Sequence, residues 1–183
     1  MTRPGSIIIF SVLGLVLSLI ILSWFVPGDP ELQVTLVKEN KTVLSLPLKS
    51  KERFTIHYYH SVENAPIWEE HSMDKNGRIY IEEERYEKFG AGMGKMPGVG
   101  RMVKKGIYEA ITDMHMPTGN FILRVGSPGV DHTIIWRNQR FNLSDTLAHK
   151  AVKFSGKPRS MLYQIWRSFK GFMIGIITPT TGK

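Results

Sequence analysis

The chain contains no cysteine. No disulfide can staple the fold, which suits an exported domain held by packing alone but fixes no compartment. Acidic residues are missing from both ends. None precedes Asp29, and none occurs from Lys150 to Lys183. The formal charge of +8 is therefore a property of the ends. Between Pro27 and His149 there are 16 basic and 16 acidic residues, so the middle is neutral. A nucleic-acid-binding domain would carry its basicity on the domain itself, and no nucleic-acid partner is expected. The sequence also lacks an apolar helical stripe before residue 145. That excludes a helical bundle and leaves strands to build the core.

One long hydrophobic run is present. Ile7 to Val26 is 20 residues without a charge. As a helix it would reach about 30 Å, enough for the hydrocarbon core of a bilayer. The alternative is a cleaved signal, whose apolar core is shorter and ends at small residues. Here the run ends in Trp24, Phe25 and Val26, which leave no such site. An uncleaved single-pass anchor is expected. Arg3 precedes it, and Asp29 and Glu31 follow. The positive-inside rule then places the N-terminus in the cytoplasm and the domain outside.

The middle alternates. Leu32–Val37, Thr42–Leu48, Arg53–Val62, Ile67–Asp74 and Arg78–Glu84 read as strands, with Asn76-Gly77 as a hairpin turn. Further strands are expected at 121–125, 132–136 and 140–143. The fold class is all-β: a small antiparallel β-sandwich or open barrel, with an N-terminal transmembrane helix and a C-terminal amphipathic helix. That last helix is expected over Met161–Ile177, where apolar residues recur at helical spacing beside Arg167 and Lys170. The expected organisation is a cytoplasmic end at 1–6, an anchor at 7–26, an extracytoplasmic β domain at 27–154 and a basic tail at 155–183. The tail suits anionic lipid, packing on the domain, or contact with a membrane protein.

Two stretches stand out as candidate chemistry. The first is YYHSVENAPIWEEH, holding Tyr58, His60, Ser61, Glu63, Glu69, Glu70 and His71. His60 and Glu69 are expected to meet across the Ser61–Pro66 connection. The meeting could be a structural clasp, a recognition surface, or part of a metal site with His71. The spacing fits no standard zinc pattern. Ser61 cannot pair with the adjacent His60 as a nucleophile, because neighbouring strand residues point to opposite faces. No catalytic residue is assigned. The second stretch is FGAGMGKMPGVG, with five glycines between Phe89 and Gly100. It lacks the lysine-serine ending of a phosphate-binding loop. Its glycines, with Gly90, Ala91 and Gly92 at the start, would let backbone approach the histidine corner closely.

Together these motifs resemble the bacterial family called domain of unknown function eighteen-fifty. The pattern is a tyrosine, HSVE, a proline and a glutamate, then FGAG. Here that is Tyr58, His60-Ser61-Val62-Glu63, Pro66, Glu69 and Phe89-Gly90-Ala91-Gly92. The likeness runs from about Leu32 to Phe154, and MGKM before Pro97 departs from it. The resemblance implies an N-terminal signal or anchor. It also implies genes beside TRAP transporters of the TAXI class, whose binding protein captures a solute such as a dicarboxylate. It implies no reaction. The expected function is thus a membrane-anchored extracytoplasmic accessory protein, non-enzymatic, without a cofactor. Its partners would be anionic lipid and the membrane subunits or solute-binding protein of such a transporter. The alternatives are a metal-dependent hydrolase centred on His60 and Glu69, and a ligand-free envelope scaffold.

Overall fold

The computed structural model describes residues 4–87 and 99–177. The elements run in the order α1 (Pro4–Phe25), β1 (Glu31–Leu36), β2 (Lys41–Pro47), β3 (Arg53–Tyr59), β4 (Pro66–Met73), β5 (Ile79–Tyr86), β6 (Arg101–Lys105) and β7 (Tyr108–Thr112). There follow β8 (Met116–Pro117), β9 (Phe121–Arg124), β10 (Thr133–Trp136), β11 (Gln139–Asn142), the one-turn α2 (Ser144–Leu147), β12 (Ala151–Lys157) and α3 (Met161–Ile177). They form two units. One joins Met1–Asp29 to Pro158–Lys183, and the other is Pro30–Lys157.

The second unit is mostly β, in two antiparallel sheets. The smaller has the order β2-β1-β12-β9, and the larger β11-β10-β3-β4-β5-β7-β6, with β8 pairing β5. Alternation explains which face goes in. Leu32, Val34 and Leu36 of β1, Val152 and Phe154 of β12, and Phe54 and Ile56 of β3 are buried, while the residues between them are more open. The two inner faces share one core, in which Leu32, Val34, Leu46 and Phe154 meet Phe54, Ile56, Ile134 and Trp136. Ile67, Tyr86 and Ile111 form a second, smaller cluster on the larger sheet. Neither sheet closes on itself, and the two antiparallel sheets enclose a shared core as a sandwich does.

Some details differ from expectation. The β4–β5 turn puts Gly77 alone at positive φ (+81°); Asn76 does not share it. Asp74 holds this turn instead, its Oδ1 accepting the N–H groups of Asn76 at 2.9 Å and Arg78 at 2.8 Å. Strands β6, β7, β8 and β12 were not expected. The paired glutamates of β4 and β5 are largely spoken for on the outer face. Arg53 reaches Glu70 at 2.6 Å, Arg85 reaches Glu70 at 2.7 Å, and Lys105 reaches Glu83 at 2.8 Å. This ladder ties β3, β4, β5 and β6 together.

The first unit is built on two helices. From Ile8 to Phe25, α1 is long and apolar enough to cross a membrane, and none of that window is buried. Beyond it, Gly28 N–H donates to Arg159 O at 2.7 Å and Met161 N–H to Val26 O at 2.9 Å. Any side chain at Gly28 would strike the Ser160 backbone at 2.9 Å. α3 then runs over the expected span. Its Met161, Ile165, Trp166 and Phe169 are exposed.

Candidate functional site

Strand alternation puts Tyr58, Glu69 and His71 on the inner face of the larger sheet. Register then decides what they meet. Glu69 lies opposite Ile56 on β3 and opposite Glu84 on β5. Two carboxylates are thus set directly across from one another on a half-buried face. Directly opposed like charges repel. The surrounding groups answer that repulsion with donors. Tyr58 donates to Glu69 Oε1 at 2.9 Å, and His71 Nε2 approaches Glu69 Oε2 at 3.4 Å. Tyr86 donates to Glu84.

Burial pushes the Glu84 carboxyl above its ordinary range; the facing Glu69 adds to the rise, and Tyr86 and His71 oppose it. Burial and the nearby carboxylates also push the Tyr58 and Tyr86 hydroxyls up, so both stay protonated as donors. His132 stacks on Tyr58 with ring centroids 5.0 Å apart and accepts the Gly126 N–H on Nδ1 at 2.9 Å. Burial lowers its pKa, so it is neutral at neutral pH. The arrangement sets a carboxyl whose pKa burial raises, Glu84, opposite a second carboxylate, with a tyrosine donor on each.

A test follows from the sign of that shift. A carboxyl whose folded pKa is raised contributes stability fully present below its unfolded pKa. That contribution is lost as pH rises through the raised value. Glu84 should therefore contribute a loss of stability as pH climbs through that value, against the opposite contributions of Glu52 and Glu82, whose carboxyls are held below their ordinary range. Thermal melts of native chain and variant side by side isolate it. Glu84→Gln keeps an acceptor for Tyr86 and removes the charge. It should flatten this fall and stabilise by up to about 1 kcal/mol at neutral pH. An unchanged pH profile would show that Glu84 is not held above its ordinary range.

The other expected residues are placed differently. His60 and Glu69 do not meet. Among the described residues, no hydrogen bond joins them. His60 Nδ1 accepts the Glu63 N–H at 3.3 Å, while His60 N–H donates to Ala65 O at 2.9 Å. The loop therefore closes at His60–Ala65, and Glu69 lies farther down the strand, beside Ile56. Ser61 and Val62 are exposed in this turn, and Glu63 is half-buried. Gly90, Ala91 and Gly92 lie outside the described residues. Of the weak metal candidates His60, Glu69 and His71, only the last two touch. Among the described residues, no three histidine or carboxylate side chains are grouped to hold a metal ion. The metal-dependent hydrolase is overturned on that geometry.

Glu84, Tyr86 and His132 were missed in the sequence. Glu84 was hidden by the irregular register between Glu70 and His71, which breaks the simple two-residue rhythm of β5.

The fold and site describe a membrane-associated protein with a two-sheet β domain and a hydrogen-bonded carboxylate pair. Residues 54–143 match the model of a family described as a domain of unknown function (DUF1850). The match takes in β3 to β11, and so every residue of the pair and its donors. No curated protein matches the chain. No solved structure matches it either.

Proposed function

We propose that the chain is a single-pass, membrane-anchored accessory protein whose β domain stands outside the cytoplasm and serves a solute transporter of the TRAP class without catalysing a reaction. The observation that carries the membrane part is α1, whose apolar window from Ile8 to Phe25 has no residue buried in the protein. Such a surface is stable in lipid and costly in water. The transporter partner rests on the family resemblance, and the outward orientation on Arg3 before the span. Protease added to intact protoplasts should remove the β domain while α1 stays with the membrane. Full protection would reverse the orientation. Affinity capture from detergent-solubilised membranes should bring down a transporter membrane subunit or its solute-binding protein. Recovery of the chain alone would count for the scaffold reading.

In this reading α3 lies along the membrane surface. Its exposed Met161, Ile165 and Phe169 fall four residues apart, on one side of the helix. A recess of about 580 Å³ in the same unit is lined by Trp24, Tyr163 and Trp166 with Arg159, the aromatic and cationic pairing typical of a lipid headgroup region. The guanidinium of Arg159 sits 4.4 Å from the Tyr163 ring centroid. A peptide spanning 158–183 should bind vesicles containing an anionic phospholipid, and high salt should weaken that binding. Equal binding to neutral vesicles would remove charge from the account.

A further inference from the structure

The outer face of the larger sheet carries a second polar site, on the reverse of the strand that presents Tyr58. His57, Thr133 and Asn142 lie in one row across β3, β10 and β11, because Thr133 pairs with both of the others. With Tyr59, Asp131 and Arg140 they line a recess of about 310 Å³. All six side chains are polar or carry a polar tip. Known small-molecule pockets run from about 300 to 1,000 Å³, so this one suits a small ligand.

The charges in the recess are the informative feature. Arg140 and Asp131 line the same space with opposite signs. Among the described residues, neither forms an ion pair with the other or with any third group. The backbone keeps them apart. Asp131 is held in a left-handed conformation at φ +53°, with its Oδ1 accepting the Gly129 N–H at 3.2 Å. Arg140 is fixed by the pairing of β11 with Ile135 of β10. Asn142 Oδ1 accepts the Ser144 N–H at 2.8 Å, and among the described residues its amide donors have no hydrogen-bond acceptor. His57 is 7% exposed, and its Nδ1 is buried with no hydrogen-bond partner. Burial lowers its pKa, and the charge of Arg140 lowers it further, so the ring is neutral and the recess carries one charge of each sign. Buried polar atoms without partners are rare in native proteins, and this one belongs to a side chain that lines the recess.

We propose that this recess binds a small zwitterion with neighbouring carboxylate and ammonium groups, a free α-amino acid. The carboxylate would take the planar fork of Arg140 and an Asn142 N–H, and the ammonium would take Asp131. A simple anion would meet Asp131, and a simple cation would meet Arg140. Only a ligand carrying both charges satisfies both. This site does not depend on the transporter reading, and the two can fail separately.

The test uses the full chain in detergent and each proteinogenic amino acid at millimolar concentration, with thermal melts and then titration calorimetry. At least one amino acid should raise the melting temperature saturably. Its N-acetyl form lacks the ammonium and its amide form lacks the carboxylate, and each should bind at least about 10-fold more weakly. Arg140→Gln and Asp131→Asn should each weaken binding by about 10-fold or more, with unliganded melting temperatures near that of the native chain. Asparagine tolerates the left-handed backbone at 131, so that variant tests charge without strain. If no amino acid binds, if the blocked forms bind as well, or if both variants keep full affinity, the proposal is wrong.

Discussion

Replacing Gly156 with alanine is expected to cost roughly 3 kcal/mol or more, far beyond an ordinary single-methyl change. A Cβ on Gly156 would lie 1.9 Å from the carbonyl oxygen of Gly77 and 2.5 Å from Met73 Sδ. The first contact is with backbone, so no side chain can swing away to relieve it. The β4–β5 turn cannot easily retreat. Asp74 clamps it through the N–H groups of Asn76 and Arg78, and Gly77 N–H donates to Asp74 O at 2.9 Å. Gly77 belongs to the larger sheet's hairpin and Gly156 to β12 of the smaller sheet, so the clash pushes the two sheets apart at that contact. Urea unfolding of the full chain in detergent, followed by tryptophan fluorescence, measures the loss. Gly106→Ala is the control. Gly106 has φ +64° and nothing within 4 Å of a new Cβ, so only backbone strain applies, about 1–2 kcal/mol. If both variants lose the same amount, the close approach of the sheets is not what Gly156 serves.

Much of this architecture was legible in the sequence, and its limits have physical causes. Strands β1 and β3 announce themselves because one face is more buried than the other, which writes a period of two into the residues. α1 and α3 are equally plain. β12 was obscured because Lys150, Lys153 and Lys157 read as the start of a basic tail. The alternation of Val152 and Phe154 with Lys153 was nevertheless there, and it matches the burial observed. β6, RMVKK, is almost wholly exposed and so carries no such rhythm.

The candidate site shows the same limit more sharply. Tyr58, Glu69 and His71 share a face by alternation alone, but their partners depend on register between strands. Register is set by where a hairpin loop closes. The loop closes at His60–Ala65, which carries Glu69 away from His60, and an irregularity in β4–β5 pairing brings Glu84 opposite Glu69. Neither fact is local to any stretch of sequence. The outer recess is harder still to foresee, since Arg140 and Asp131 look like ordinary turn and edge charges until the strands are paired.

Phe154→Ala is expected to cost about 3–5 kcal/mol, and the reason joins the core to the site. Phe154 is fully buried. Its ring stacks on Phe121 with centroids 4.8 Å apart and planes at 7°. Phe121 stacks in turn on His71 at 5.5 Å, and His71 on Phe54 at 5.3 Å. Phe154 and Phe121 come from the smaller sheet, and His71 and Phe54 from the larger, so four near-parallel rings bridge the two layers. Removing the end ring leaves a cavity that the locked β-ladders on either side cannot close, which places the cost toward the upper part of the range. Phe154→Leu keeps most of the apolar volume and should lose less than half as much. The stack also holds the His71 ring, which opposes the rise of the Glu84 carboxyl, and the alanine variant loosens that support. Its stability should therefore depend differently on pH from that of the native chain, whereas a plain core cavity would shift the whole profile without changing its shape. Denaturant unfolding across the acidic and neutral range separates the two. A parallel downward shift at every pH would confine the ring stack to packing and detach it from the carboxylate pair.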